Sequence, residues 1–172
     1  MNLKAKNLFK TLALALSVSL LAPLANKVSA ENVNIQAPEI IGESSITMDI
    51  ETGEVIYSKN ADKITAPASL TKIVTALVVL DKGDPLSKKI TCSKKAIDSI
   101  LGTGSSIAGL YAGEKTTLEM LLYCLFLPSA NDAAAVLAYH YGEGEEQKFV
   151  NEMNEYVKNL GCKNTYFSNP HG

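Results

Sequence analysis

The sequence predicts an α+β fold in which one β-hairpin precedes a cluster of helices. Apolar and polar residues alternate from Ser45 to Ile50, which is the pattern of a half-buried strand. A turn sequence at 51–54 and a second short apolar stretch at 55–58 complete the hairpin. The later apolar segments show helical spacing or helical length, and several end at Gly or Pro, which favours helices there.

The first thirty residues are typical of a secretory signal peptide. Three lysines within the first ten residues precede an apolar run at 11–25, and residues 28–30 form a small-residue cleavage site. We expect cleavage after Ala30 and export to the cell envelope or the medium. An uncleaved anchor is the alternative, but the apolar run is short for a membrane span.

The charge balance and the histidines exclude two classes of function. The leader carries four of the sixteen lysines and no acidic residue, so the rest of the chain sets twelve lysines against eighteen Asp or Glu, a formal charge of −6. That balance argues against nucleic acid as a partner. His140 and His171 are the only histidines and lie far apart in the chain, so we predict neither a metal site nor a cofactor.

The three cysteines stand at irregular spacing and do not predict a redox motif. Cys124 lies inside an apolar stretch and is predicted to be a buried thiol. The sequence neither supports nor excludes a disulfide bridge between Cys92 and Cys162.

Five segments after the hairpin are predicted to be helices. A capping box with Thr116 as the cap and Glu119 reaching back marks the start of the third. A short strand at 90–93 and a glycine- and serine-rich loop at 102–113 lie between helices. The predicted helices cover residues 69–80, 94–101, 117–127, 132–141 and 146–160.

Ser69 and Lys72 carry the strongest chemical signal in the sequence. They stand three residues apart at the start of the first helix, so both side chains lie on one helical face. The helix start favours negative charge at the serine and disfavours an ammonium on Lys72. A lysine pushed towards its neutral form can take the proton of a serine hydroxyl. The alternative is a serine helix cap followed by a solvated lysine.

Ser129 and Asn131 form a second polar pair, in the break between two helices. Such a corner can project a hydroxyl and a carboxamide into one cleft. The alternative is again a pair of helix-starting residues, and Ser58-Lys59-Asn60 shows the same tripeptide pattern in a predicted strand without any role. Taken alone, the pair assigns no function.

The order of these two motifs in an exported chain resembles the penicillin-recognising serine enzymes. The wider phrases are similar to those of the D-alanyl-D-alanine carboxypeptidases, the low-molecular-mass penicillin-binding proteins of peptidase family S11. This resemblance covers essentially all of residues 31–172. The phrases that carry it are Pro67-Ala68-Ser69-Leu70-Thr71-Lys72, Leu127-Pro128-Ser129-Ala130-Asn131-Asp132-Ala133-Ala134, Gly113-Glu114-Lys115-Thr116-Thr117 and Asn169-Pro170-His171-Gly172.

The resemblance implies a penicillin-binding, β-lactamase-like serine transpeptidase fold and a set of residue roles. Ser69 would be the acylated nucleophile and Lys72 its base. Ser129 would pass a proton to the leaving D-alanine, and Asn131 would hold the substrate amide. The implied substrates are peptidoglycan stem peptides ending in D-Ala-D-Ala, and β-lactam antibiotics would be covalent inhibitors.

The family's third motif, Lys-Thr-Gly on a later strand, does not occur in the sequence. We therefore expect residues 31–172 to be an incomplete D,D-peptidase catalytic domain whose C-terminal sheet strands are missing. Any membrane association would come through a missing C-terminal segment. The alternatives that stay open are an inactive or peptidoglycan-binding fragment, a D,D-endopeptidase and, less well supported, a β-lactamase.

Overall fold

The computed structural model describes residues 38–172, and these residues divide into two compact units. The first described unit runs from residue 38 to Ala61 and the second from Asp62 to Gly172. The predicted signal peptide and its cleavage site lie outside the described residues. Within residues 38–172, no helix is long and apolar enough to cross a membrane.

The first unit holds the predicted hairpin. Strands β1 (Ser45–Met48) and β2 (Val55–Lys59) pair antiparallel, with a register shift between Thr47 and Met48. Asp49 builds the turn, because its Oδ1 accepts the N–H groups of Glu51 and Thr52 at 3.1 and 2.7 Å. These hydrogen bonds hold the pKa of the Asp49 carboxyl below its usual value. The prediction of a hairpin is confirmed.

The second unit contains five α-helices and a two-stranded antiparallel ribbon. The ribbon pairs β3 (Lys89–Thr91) with β4 (Lys115–Thr117), so it brings together the two ends of the segment 92–114, which contains a helix and the predicted 102–113 loop. The helices, in chain order, are α1 (Thr71–Asp81), α2 (Lys94–Ile100), α3 (Leu118–Phe126), α4 (Asn131–Tyr141) and α5 (Glu146–Asn159).

Helix α4 is the centre of the second unit. It contacts the other four helices and β3, and every residue from Asp132 to Ala138 is buried. Four of these seven residues are alanine, which has the highest intrinsic helix propensity and leaves room for neighbouring helices on all sides. The start of α4 therefore has a fixed position in the core, and that start is the corner that carries Ser129.

The structure corrects several of the predictions. The cap of α3 is Thr117, whose hydroxyl accepts the N–H of Met120 at 3.1 Å, while Thr116 lies in β4. Both threonines lie in β4, and Thr117 is the cap because it is the last residue of the strand and directly precedes Leu118, the first residue of α3. Cys124 is half-buried rather than buried, since it lies on the less covered side of α3.

The cysteines are free thiols, so the structure does not form the bridge between Cys92 and Cys162. Cys92 is buried while Cys162 is exposed. Burial raises the pKa of Cys92 to about 11, which keeps this thiol protonated and unreactive near neutral pH.

Helix α1 is buried on one face only. Its inward face begins with polar residues, Thr71, Lys72 and Thr75, and continues with apolar ones. Ile73, Leu77 and Leu80 on the other side keep 40–49% of their surface exposed. An almost wholly apolar helix favours burial over a place at the surface, yet within residues 38–172 the described contacts cover only one face of α1.

Candidate active site

Ser69 lies in a single 3-10 turn, Ala68–Leu70, that leads directly into α1. The predicted helix start is confirmed, with a tighter first turn than an α-helix. Ala68 has a φ of +46°, which is a left-handed conformation that alanine rarely adopts. The turn presents the exposed Ser69 side chain, and Lys72 follows on the first turn of α1. Lys72 Nζ donates to Ser69 Oγ at 3.2 Å.

Ser129 completes a triangle with these two groups. Lys72 Nζ lies 3.2 Å from Ser129 Oγ, and the Ser129 hydroxyl donates to Ser69 Oγ at 3.0 Å. Ser129 comes from the break between α3 and α4, sixty residues after Ser69. Its φ is +56°, so Ser129 is a second left-handed residue in this cluster, after Ala68. Such backbone strain in non-glycine residues is concentrated at functional sites.

Lys72 is nearly removed from water, with 2% of its surface exposed. Burial lowers the pKa of its ammonium below the usual 10.5, because the charged form loses hydration. The three groups to which Nζ donates are all uncharged oxygens, those of Ser69, Ser129 and the His171 carbonyl. These contacts satisfy three N–H donors without a carboxylate that would raise the pKa again.

The third partner of Lys72 is a backbone carbonyl, that of His171 at 3.1 Å. A carbonyl can only accept a hydrogen bond, whereas a hydroxyl can also donate. When Lys72 loses a proton, the N–H towards His171 is therefore retained. The nitrogen lone pair then faces one of the two serine hydroxyls. This geometry suits Lys72 to act as a base.

A turn at 169–172 holds that carbonyl in place. Asn169 Oδ1 accepts the N–H groups of His171 and Gly172 at 3.1 and 2.6 Å. Thr75, on the inward face of α1, donates to Pro170 O at 2.6 Å. A β carbon on Gly172 would lie 1.9 Å from Ala68 O, so only glycine allows the turn to approach the residue before Ser69 this closely.

The His171 imidazole is half-buried near the same site. Burial lowers the pKa of its ring, and the positive charge of Lys72 lowers it further. The ring is therefore neutral at neutral pH. The sequence indicated no role for the 169–172 turn other than its resemblance to the family. Every residue type carries a backbone carbonyl, so the sequence does not show which carbonyl will accept a hydrogen bond.

Asn131 is the first residue of α4 and is half-buried. Its backbone N–H donates to Ser106 O at 2.8 Å. The structure brings Ser69, Lys72 and Ser129 into mutual contact, and it places Asn131 two residues beyond Ser129 at the same corner. A group of three or more metal-ligating side chains is absent from residues 38–172.

This geometry can activate a hydroxyl for attack on a carbonyl carbon. Lys72 is a candidate base, Ser69 is the exposed hydroxyl beside it, and Ser129 can relay a proton between the nitrogen and a leaving group. The arrangement needs neither a histidine base nor a carboxylate.

Comparisons with known proteins show which family the chain resembles. The family model described as D-alanyl-D-alanine carboxypeptidase, Peptidase_S11, matches residues 31–172. The D-alanyl-D-alanine carboxypeptidase DacF of Bacillus subtilis is 33% identical over 168 residues, which is 97% of this chain and 42% of that protein. A D-alanyl-D-alanine endopeptidase of Escherichia coli is 37% identical over 162 residues, covering 94% of this chain and 51% of that protein.

The fold is also similar to a solved structure of the same class. The crystal structure of the Streptomyces K15 DD-transpeptidase matches with a TM-score of 0.75 and 37% identity, over 80% of this chain and 55% of that one. The mixed helix-and-strand architecture predicted from the sequence is therefore confirmed. The chain spans about half the length of these relatives, or less.

Proposed function

The chain belongs to peptidase family S11, the D-alanyl-D-alanine carboxypeptidases, and we propose that Ser69 is the nucleophile of such a peptidase. The proposed reaction removes the terminal D-alanine from peptidoglycan stem peptides through an acyl-enzyme. The observation that carries this proposal is the triangle of Ser69, Lys72 and Ser129, with edges of 3.0–3.2 Å around a lysine that is 2% exposed.

In the acylation step, neutral Lys72 takes the proton of Ser69 as Oγ attacks the carbonyl carbon of the penultimate D-Ala. The carbonyl electrons move to the oxygen, and the backbone N–H of Ser69 is proposed as one donor to that oxyanion. Collapse of the tetrahedral intermediate breaks the C–N bond to the terminal residue. The proton held by Lys72 passes through the Ser129 hydroxyl to the leaving nitrogen, so free D-alanine departs.

In the deacylation step, water hydrolyses the ester on Ser69. Lys72 accepts a proton from the water as its oxygen attacks the acyl carbon. That proton returns to Ser69 Oγ when the ester bond breaks, and the site is restored. A β-lactam would enter the same sequence by opening its ring amide on Ser69.

Asn131 is proposed to hold the substrate amide. Its position as the first residue of α4, two residues after Ser129, supports this proposal. A carboxamide offers both a donor and an acceptor, which matches the N–H and C=O of a peptide bond.

The cellular setting follows from the substrate and the leader. We propose that residues 1–30 are a signal peptide, that residues 31–172 form D,D-peptidase catalytic-domain sequence, and that the protein works in the cell envelope outside the cytoplasmic membrane. Cross-linked peptidoglycan is a second candidate substrate, because the Escherichia coli relative is named an endopeptidase and matches 94% of this chain.

The test is release of D-alanine from a synthetic peptide ending in D-Ala-D-Ala, measured for the purified protein and for Ser69→Ala. We expect the wild type to release D-alanine and Ser69→Ala to lose the activity. Ser58→Ala is the control, because Ser58 is an exposed serine of strand β2 to which no role in the reaction is assigned. A peptide ending in D-Ala-L-Ala should be left intact.

Three outcomes would redirect the proposal. Hydrolysis that persists in Ser69→Ala would remove Ser69 as the nucleophile. Cleavage of a cross-linked dimer in preference to the linear peptide would favour the endopeptidase. Binding of the peptide without release of D-alanine would favour a peptidoglycan-binding protein without hydrolytic activity.

A further inference from the structure

The corner that carries Ser129 needs support from outside the catalytic triangle. Ser129 has a φ of +56°, and a residue with a β carbon stays in this conformation only when its surroundings fix it. Within the corner, the N–H of Ala130 donates to Cys124 O at 3.0 Å. That bond anchors the peptide between Ser129 and Ala130 to α3, and it leaves the peptides before and after this one to be held by another segment.

Ser106 holds the chain on both sides of Ser129. Its hydroxyl donates to Pro128 O at 2.6 Å, and its carbonyl accepts the N–H of Asn131 at 2.8 Å. Residues 128 and 131 therefore move with Ser106. Ser106 lies in the loop that joins α2 to the second strand of the ribbon, and its position depends on what fixes that loop.

The carboxylate of Asp132 holds this loop in place through hydrogen bonds. The carboxylate is buried, with 4% of the residue exposed, and a carboxylate at such depth requires hydrogen-bond donors. Hydrogen bonds to an ionised acceptor are stronger than neutral ones. The carboxylate accepts four backbone N–H groups at 2.9–3.0 Å, those of Ala108, Gly109, Leu110 and Ala133.

We propose that Asp132 is a positioning residue for Ser129. It ties the 106–110 loop to the first turn of α4, and the loop in turn clamps the strained corner through Ser106. The hydroxyl of Ser129 thereby stays within hydrogen-bond distance of both Lys72 and Ser69. This inference rests on the proposed function, because it gives Asp132 a kinetic effect through the proton relay.

Replacing Asp132 by asparagine tests the clamp at nearly constant volume. Oδ1 accepts the N–H groups of Ala108 and Ala133, and Oδ2 accepts those of Gly109 and Leu110. An amide in either orientation sets its NH₂ group against two N–H donors. Asp132→Asn thus removes two of the four accepted bonds and adds repulsion between donors.

Two serine variants separate the clamp from general loop damage. Ser106→Ala removes the bond to Pro128 and leaves the carboxylate contacts intact. Ser105→Ala is the matched control on the neighbouring residue, because the Ser105 hydroxyl bonds to Thr103 and not to the corner.

The first readout is amide hydrogen exchange, which does not depend on activity. In Asp132→Asn we expect exchange at Asn131 and at residues 108–110 to be at least about tenfold faster, while the amides of α5 keep their protection. Ser105→Ala should match the wild type. If the amide of Asn131 exchanges in Asp132→Asn at the same rate as in the wild type, the proposal is overturned.

The second readout is the rate constant of acylation by a fluorescent penicillin. Misplacement of the relay by about 1 Å should lower it about 10- to 100-fold in Asp132→Asn. Ser106→Ala should fall in the same direction and Ser105→Ala should stay unchanged. The fraction labelled at long times should remain complete in all three, whereas simple unfolding would lower that fraction.

The two hypotheses fail in different ways. If the wild type is acylated and Asp132→Asn is acylated at the same rate, only the positioning role is overturned. A wild type without acylation would overturn the proposed function, and the hydrogen-exchange result would then decide whether Asp132 clamps the corner.

Discussion

Replacing Lys72 by arginine separates positive charge from proton transfer at the candidate site. Lys72 Nζ lies 3.2 Å from Ser69 Oγ, and burial lowers the pKa of the lysine from 10.5. Arginine stays protonated over the whole range in which proteins fold. Lys72→Arg therefore keeps the charge but removes the base.

The size of the effect follows from the role assigned to Lys72. General-base catalysis contributes about 10²–10⁴ in rate, which corresponds to about 2.7–5.4 kcal/mol of activation free energy. We expect acylation of Lys72→Arg to be slower by this factor. The matched control is Lys82→Arg, since Lys82 is an exposed lysine on the same stretch of chain that pairs with Glu152 at 2.6 Å.

The pH dependence of acylation tests whether Lys72 acts as a base. A base must be deprotonated to act, so the wild-type rate should rise with pH through the pKa of Lys72 and level off above it. Because burial lowers this pKa, the midpoint should lie below 10.5. The assay is the rate of fluorescent penicillin labelling across a pH series. A Lys72→Arg protein with the wild-type rate and the wild-type pH rise would refute the reasoning.

Three further substitutions test the fold and the turn beside the site. Thr117→Ala removes the hydroxyl cap of α3 and should lower the free energy of unfolding by about 1 kcal/mol in urea titration, and an unchanged midpoint would contradict the cap. Leu121→Ala, at a residue that is 0% exposed, should lower it by about 2–5 kcal/mol, and a loss below that range would contradict close packing around α3. Gly172→Ala should displace the 169–172 turn, because its β carbon would lie 1.9 Å from Ala68 O. It should slow acylation about tenfold or more with the fold intact by circular dichroism, and wild-type kinetics would show that the His171 carbonyl is dispensable.

The local part of the site could be predicted from the sequence. Ser69 and Lys72 are three residues apart on one helix, so helical geometry alone brings them onto one face. The hairpin was equally accessible, because alternation and a turn sequence are local signals. The polar inward face of α1 was harder to see. Its three polar residues are outnumbered by apolar ones, so the composition of the helix does not reveal that they share the inward face.

The contact between Ser69 and Ser129 could not be derived from spacing. Sixty residues separate them, and only the resemblance of both motifs to one family predicted that they meet. The chain path explains the contact. Helix α4 is buried along seven consecutive residues, which fixes its first turn in the core and places the preceding corner against α1.

Two contributors to the site were missed for physical reasons. The His171 carbonyl is a backbone group, and every residue type carries one. Asp132 follows a Ser-x-Asn motif and resembles an ordinary acidic residue in a first helical turn. Three of its four accepted N–H groups come from the loop before β4, so these contacts form only when that loop folds against α4.

The central claim is that Ser69 is the acylated nucleophile, and the most direct measurement is the site of covalent attachment. The protein is incubated with penicillin, digested, and mapped by mass spectrometry. We predict that the penicilloyl adduct lies on the peptide that contains Ser69, with its fragment ions assigning the added mass to that residue. An adduct on Ser129 or on another peptide would contradict the account.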